Sequence, residues 1–262
     1  MMLAPLFISH GAPTLGMTDS PARAFLRELG QKLPRPKAVV VASAHWETPE
    51  PRVSAQDPND TIHDFRGFPR ALHEMRYPAP GAPALAERIA GLLSDAGMPA
   101  AIDPNRGLDH GAWVPLALMY PKADVPVLQV ALQPQHGPDY HRALGRALAP
   151  LAAEDVLVIG SGSFPHDLGR FHGQDIDTPA PPDVVAFAEW FDAALTESRT
   201  ADLLDYRQRA PHAADNHPTE EHLLPLYVAW GAGGENTRAQ RLHASSTYGI
   251  LRMDAYAFAR GG

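Results

Sequence analysis

The sequence contains no cysteine, and that single absence removes disulfides, thiolate zinc sites, iron–sulfur clusters and cysteine nucleophiles together. It is also short of positive charge: 22 Lys and Arg stand against 30 Asp and Glu, a formal net charge of −8 with His counted neutral. Phosphate binding rests on clustered Lys and Arg, and no such cluster occurs, so neither nucleic acid nor an anionic membrane is an expected partner. No apolar run approaches the roughly 18 residues of a membrane span, and no basic leader opens Met1 to His10. A soluble, cytoplasmic protein is the expectation. Hydrophobic residues at 45% and charged residues at 20% exclude a disordered, collagenous or coiled-coil chain. A chain of 262 residues can bury a full-sized core and suits one domain, residues 1–262, better than two small ones. What is plentiful is histidine: thirteen occur, several of them where hydrophobic runs stop.

Short apolar runs recur at Leu3 to Ile8, Ala38 to Ala42, Val125 to Leu132 and Val156 to Ile159. They are continuous rather than alternating, as in strands covered on both faces. Helical patterns lie between most of them. Ser20-Pro21 opens a helix through Leu33, a second runs from Pro83 to Ala96, and a third from Asp139 to Leu151. Residues 49–82 and 97–111, rich in Pro, Gly, Asp and Asn, read as long loops that shape a site. Helical patterning returns from Pro182 to Arg209, and Thr219 caps a shorter helix to Trp230. Arg241 to Thr247 and Ile250 to Phe258 read as antiparallel strands at the sheet edge. The predicted class is α/β: one domain with a mostly parallel central sheet, helices on both faces and an edge antiparallel extension.

Three predicted strands end in polar turns that carry histidine: Ser9-His10-Gly11, Ser43-Ala44-His45-Trp46, and Ser161-Gly162-Ser163-Phe164-Pro165-His166. In an open parallel sheet the carboxyl ends of the strands share one edge, so these turns converge on one crevice. Imidazole is the commonest metal ligand, and the segment His217-Pro218-Thr219-Glu220-Glu221-His222 adds further imidazole and carboxylate. His110, on a Gly-flanked loop before a helix, is positioned for general acid–base work. Gly160-Ser161-Gly162-Ser163 is a weak match to a phosphate loop or a nucleophile elbow, lacking the Lys of the first and the full pattern of the second. His63 and His73 read as loop residues, while Phe65, Phe68 and Tyr77 either stack on an aromatic ligand or form a small core under the loop.

The set Ser9-His10-Gly11-Ala12-Pro13, Ser43-Ala44-His45-Trp46, Thr61-Ile62-His63-Asp64-Phe65-Arg66-Gly67-Phe68-Pro69, Leu108-Asp109-His110-Gly111-Ala112-Trp113, Ser161-Gly162-Ser163 with His166, and Glu221-His222-Leu223-Leu224-Pro225-Leu226 resembles the DOPA-type extradiol aromatic ring-opening dioxygenases of class III. The resemblance spans Leu6 to about Tyr227 in order. It implies a catechol, DOPA-like or related, opened beside its diol with O2 at a non-haem metal, with Fe(II) expected for activity and Zn(II) able to occupy the same nitrogens. It further implies that His10, His45 and His222 bind the metal and that His110 stands near the substrate oxygen. For His166 it implies either a further ligand or an outer acid/base. The wider class uses a glutamate where His222 stands, so Glu221 is the alternative third ligand. Two competing readings are a zinc hydrolase of an amide or ester with Glu220 or Glu221 as general base, and a binding homologue without catalysis. Oligomeric state and the identity of the catechol are not legible in the sequence.

Overall fold

Four apolar strands, each covered on both faces, form the middle of a computed structural model that describes residues 3–260. In chain order the strands are β1 (Leu6–Ser9), β2 (Ala38–Glu47), β3 (Arg52–Ser54), β4 (Ala101–Asp103), β5 (Val127–Leu132), β6 (Val156–Gly162), β7 (Thr237–His243), β8 (Ser246–Thr247), β9 (Leu251–Arg252) and β10 (Ala255–Arg260). The α-helices are α1 (Pro21–Lys32), α2 (Arg70–Glu74), α3 (Pro83–Asp95), α4 (His110–Met119), α5 (Gly137–Leu148), α6 (Pro182–Thr196), α7 (Thr200–Leu204), α8 (Tyr206–Arg209), α9 (Ala213–Asn216) and α10 (Leu224–Ala232). One eight-stranded sheet has the order β4-β3-β5-β2-β6-β1-β10-β7, and β8 pairs with β9 apart from it. The run β5-β2-β6-β1 is parallel, while β10 and β7 continue it antiparallel, as the C-terminal pattern predicted.

Alternate residues of each central strand face opposite cores. Val40 and Val158 join Ile89 of α3, Leu144 and Leu148 of α5, Phe187 of α6 and Val228 of α10. Val39, Val41 and Ile159 join Leu26 of α1 and Trp113 and Leu116 of α4. Helix α1 begins where its cap predicted: the Ser20 side chain accepts from Arg23 N at 3.2 Å, and Pro21 opens the first turn. Among the described residues, no helix is long and apolar enough to cross a membrane.

Four expectations need correction. The supposed loops hold short elements: β3 and β4 extend the sheet beyond β5, and α2 lies between them in sequence. Three-residue strands, β3 just after Pro49 and Pro51 and β4 between Pro99 and Pro104, offer no period to read, and β3 meets β5 only at Val53↔Val130, with Ser54 Oγ accepting from Gln129 N at 2.7 Å. The stretch 182–209 is three helices, because Ser198 turns left-handed at φ 56° and closes α6. Thr219 is no cap: the last helix starts at Leu224, with Pro225 in its first turn, and residues before it form the turn that carries His222. Finally, His45 is not beyond its strand. β2 runs on to Glu47 past a register shift against β5 after Ala42, and there Ser43 Oγ accepts from His45 N at 3.2 Å.

The Gly160-Ser161-Gly162 stretch has a packing reason rather than a phosphate one. A Cβ at Gly160 would collide with the Pro225 carbonyl, and one at Gly162 with the His222 carbonyl, which itself accepts from Ser163 N at 2.9 Å. Two glycines on β6 therefore let the His222 turn and α10 lie directly on the strand. Gly162→Ala is expected to lower stability by about 1–3 kcal/mol through overpacking against backbone; urea denaturation of the variant measures it.

Candidate active site

The strand ends bring three imidazole edges to one point. His10 Nε2 lies 3.0 Å from His45 Nε2, which lies 3.3 Å from His222 Nε2, and the three side chains offer ligand atoms within 4.8 Å of one another. His10 follows β1, His45 rides the extension of β2, and His222 reaches in from the turn held on Gly162. His10 and His222 are buried and His45 is half-buried.

Hydrogen bonds on the opposite nitrogens fix the tautomers of His10 and His222, and a nearby carboxylate favours the same one in His45. Ser161 Oγ donates its hydrogen to Gly111 O, so it can only accept from His10 Nδ1–H, 3.0 Å away. His222 Nδ1 donates to Glu221 Oε1 at 2.9 Å, and His45 Nδ1 faces Asp64 Oδ2 at 3.6 Å. With the outer nitrogens protonated, all three Nε2 atoms turn lone pairs toward a common centre, where they repel unless a cation stands among them. Burial, reinforced by neighbouring imidazoles, drives His10 and His222 well below their ordinary pKa and His45 down to about 4, so all three stay neutral as ligation requires. The residues fit a metal ion: nitrogen donors without thiolate suit iron or zinc, and His10 and His222 each have the hydrogen-bonded outer partner typical of metal-bound histidines, with a carboxylate 3.6 Å from His45 Nδ1.

His110 stands beside this group, its ring 4.0 Å from that of His45. It opens α4, whose cap Asp109 is fully buried and accepts from Ser43 Oγ at 2.7 Å, Arg106 Nη2 at 2.7 Å and Gln129 Nε2 at 2.8 Å. That network ties the start of α4 to β2 and β5, and so sets His110 relative to His45. His110 Nδ1 donates to Asp64 Oδ1 at 2.9 Å, and its backbone N–H donates to the same oxygen at 3.0 Å. Burial raises the Asp64 carboxyl, but the hydrogen bonds and charge of His110 outweigh it and carry it down to about 2. His166 stacks on His222 with ring centres 3.4 Å apart and planes 7° from parallel. It groups with Glu221 and His222, not with the His10–His45–His222 set. Burial lowers its pKa, against the opposing charge of Glu221.

A cavity of about 320 Å³ opens beside these side chains, lined by His10, His45, His110, His166 and His222 together with Asp64, Arg66, Phe65, Phe68, Leu168 and Leu251 among others. A separate depression of about 240 Å³ near Leu3, Gly233 and Phe258 is apolar and has no titratable lining. Of the insertion aromatics, Phe65 and Phe68 reach the cavity, while Tyr77 is buried in the core with its hydroxyl donating to Tyr120 O at 3.1 Å. His63 and His73 stay outside it, His63 near Met75 O at 3.0 Å. His217 is fully buried, its ring 5.5 Å from that of Phe187. Sequence reasoning missed Asp64, Asp109 and Ser161 as supports of the site. Asp64 follows His63 in a Pro- and Gly-rich insertion and Ser161 lies between two glycines, so neither carries a local signal of its histidine partner. Glu221→Gln is expected to weaken metal binding by about 10–100-fold, because only the outer partner of His222 changes; competition with a chelator reads it.

A family model described as the catalytic LigB subunit of aromatic ring-opening dioxygenase matches residues 5–258. A "4,5-DOPA dioxygenase extradiol" of Beta vulgaris is 46% identical, covering 96% of this chain and 95% of its own. One of Escherichia coli K12 is 40% identical, over 87% and 84% respectively. A crystal structure titled as an uncharacterized protein from Escherichia coli K12 superposes with a TM-score of 0.79 at 32% identity, covering 99% of this chain and all of that one.

Proposed function

The chain belongs to the family of the catalytic LigB subunit of aromatic ring-opening dioxygenases and is an extradiol dioxygenase, and from that premise we propose that it opens a catechol, DOPA-like or related, at a ferrous ion held by His10, His45 and His222. The observation that carries this reading is the meeting of three Nε2 atoms, with the opposite nitrogens of His10 and His222 engaged by Ser161 and Glu221 and that of His45 turned toward the Asp64 carboxylate. Bound there, Fe(II) would supply what d¹⁰ zinc lacks, an accessible change of oxidation state for chemistry with O2.

The remaining work falls to the chain. The cavity of about 320 Å³ beside the three histidines leaves room for diol and gas, and Phe65, Phe68, Leu168 and Leu251 also line it. His110, its Nδ1 proton given to Asp64, keeps Nε2 free to take a proton from a catechol hydroxyl, and the ionised Asp64 steadies the imidazolium that results. His166 acts from outside the ligand set, returning a proton to oxygen as the ring opens, because it lies flat on His222 rather than beside it. Glu221 serves His222 and is not itself a ligand. The same contact speaks against the hydrolase reading, since Glu221 is spent on His222 and neither Glu220 nor Glu221 lines the cavity as a water-activating base. The cytoplasm remains our expected compartment, its reducing conditions suited to ferrous iron.

The test is oxygen uptake with a panel of catechols. Iron-loaded protein in air should consume O2 and give yellow ring-opened products, and zinc-loaded protein should do neither. Absence of uptake with every catechol, from protein carrying one iron per chain, overturns the reading.

A further inference from the structure

The cavity beside the histidines holds one cation with nothing inside the protein to answer it. Three arginines of the surrounding structure are tied to carboxylates: Arg106 to Asp109 at 2.7 Å, Arg170 to Asp183 at 2.7 Å, and Arg252 to Asp254 at 2.9 Å. Arg66 also lines the cavity, but among the described residues it enters no ion pair or side-chain hydrogen bond. Its position is built rather than incidental. Asp64 is fixed on His110, and Phe65 is buried with its ring 5.7 Å from that of His110 and 6.4 Å from that of Trp113. Arg66 then follows to the exposed rim, and Gly67, at φ +79°, turns the chain away. The other charged group lining the cavity, Asp64, is spent on His110 and His45. Everything else around the space is imidazole or apolar side chain and backbone: Gly11, Ala12, Pro13, Phe68, Leu168 and Leu251.

A guanidinium at the edge of an apolar slot, with five donors in a planar fork and no internal acceptor, is matched by a carboxylate, which takes two of those donors at once. We propose that Arg66 reads the ring substituent of the substrate, pairing with a carboxylate on it while the diol end lies among the histidines. The proposal rests on the catechol reading above, in which a DOPA-like diol already carries a carboxylate, and adds to it the residue of this chain that selects for that group. Neutral catechols of the same size fill the slot but leave Arg66 facing water, so they lose the charge-assisted pair and keep the rest.

Two substrates that differ only in that group decide it: 3-(3,4-dihydroxyphenyl)propionate and 4-ethylcatechol. The iron-loaded enzyme is expected to prefer the acid by roughly tenfold in kcat/KM, about the worth of one charge-assisted pair at a partly wet site. The preference should shrink as salt is raised. In Arg66→Glu the ratio should fall to one or below, and Arg66→Lys should keep part of it, because it retains charge but loses the fork. Calorimetric binding of both compounds to zinc-loaded protein repeats the comparison without turnover. Equal ratios in wild type and Arg66→Glu, in either measurement, overturn the assignment. Loss of ring opening with both compounds counts against the catechol reading instead, and the binding comparison still decides the role of Arg66.

Discussion

Replacing His45 by alanine is expected to strip the purified protein of most of its metal and to abolish ring opening. Removing an outer partner of a metal-bound histidine already costs about 10–100-fold in affinity, and removal of a ligand costs more. His45 is the hinge of the trio, since its Nε2 lies close to those of both His10 and His222, at 3.0 and 3.3 Å. His10→Ala and His222→Ala should behave alike. His136→Ala, whose ring lies tilted against that of Tyr140 and outside the cavity lining, should keep a full complement of metal. Metal analysis after gel filtration, alongside oxygen uptake, gives both readings. Retention of one ion per chain by His45→Ala would exclude it as a ligand. The pH dependence has a definite sign. Burial brings His45 down to about 4 in the metal-free fold, against 6.5 ordinarily, so protons compete with metal only as the pH falls toward 4. In the unfolded chain the same residue titrates near 6.5. Below that value the unfolded state binds more protons than the folded one, and the metal-free protein loses stability as the pH drops from about 6.5 to about 4; above 6.5 this contribution is flat.

Much of this arrangement was legible in the order of residues, and what was hidden has physical reasons. The central strands announced themselves because burial on both faces leaves unbroken apolar runs, as at Val39, Val40 and Val41. The carboxyl edge of a parallel sheet then told where His10 and His45 had to meet. Strands β3 and β4 were silent, since three residues carry no period and Ser54 replaces a ladder bond with its side chain. Asp64 is 46 residues from His110, and Ser161 is 151 from His10; no local pattern joins them, and only the folded chain sets each against its partner. The choice between Glu221 and His222 could not be made from adjacency. In the structure the glycines of β6 bring the backbone of the turn onto the sheet, His222 Nε2 points inward, and the Glu221 carboxylate takes the proton on the far nitrogen.

His110→Ala is expected to lower kcat by about 10²–10⁴-fold, the usual worth of a positioned acid–base group, while leaving the metal content near that of wild type. His110 is outside the trio of converging nitrogens, and with its Nδ1 given to Asp64 its Nε2 is left free beside the cavity. Asp64→Asn should cost less, on the order of 10–100-fold, because the imidazole remains and only its anchor and counter-charge weaken. The asparagine can still accept from the His110 backbone N–H, which keeps the start of α4 in place. The double variant should be little worse than His110→Ala alone, since Asp64 acts on the reaction through His110. Additive losses would mean that Asp64 also acts apart from His110, through the neighbouring His45 or on substrate directly. Asp64 cannot supply an acid limb to the pH–rate profile, because His110 holds its carboxyl near 2, below any pH at which the ligating histidines stay neutral. A limb that vanishes in His110→Ala, with iron retained, assigns the proton transfer to that imidazole, and a limb that survives assigns it elsewhere on the cavity wall, where His166 is the remaining imidazole.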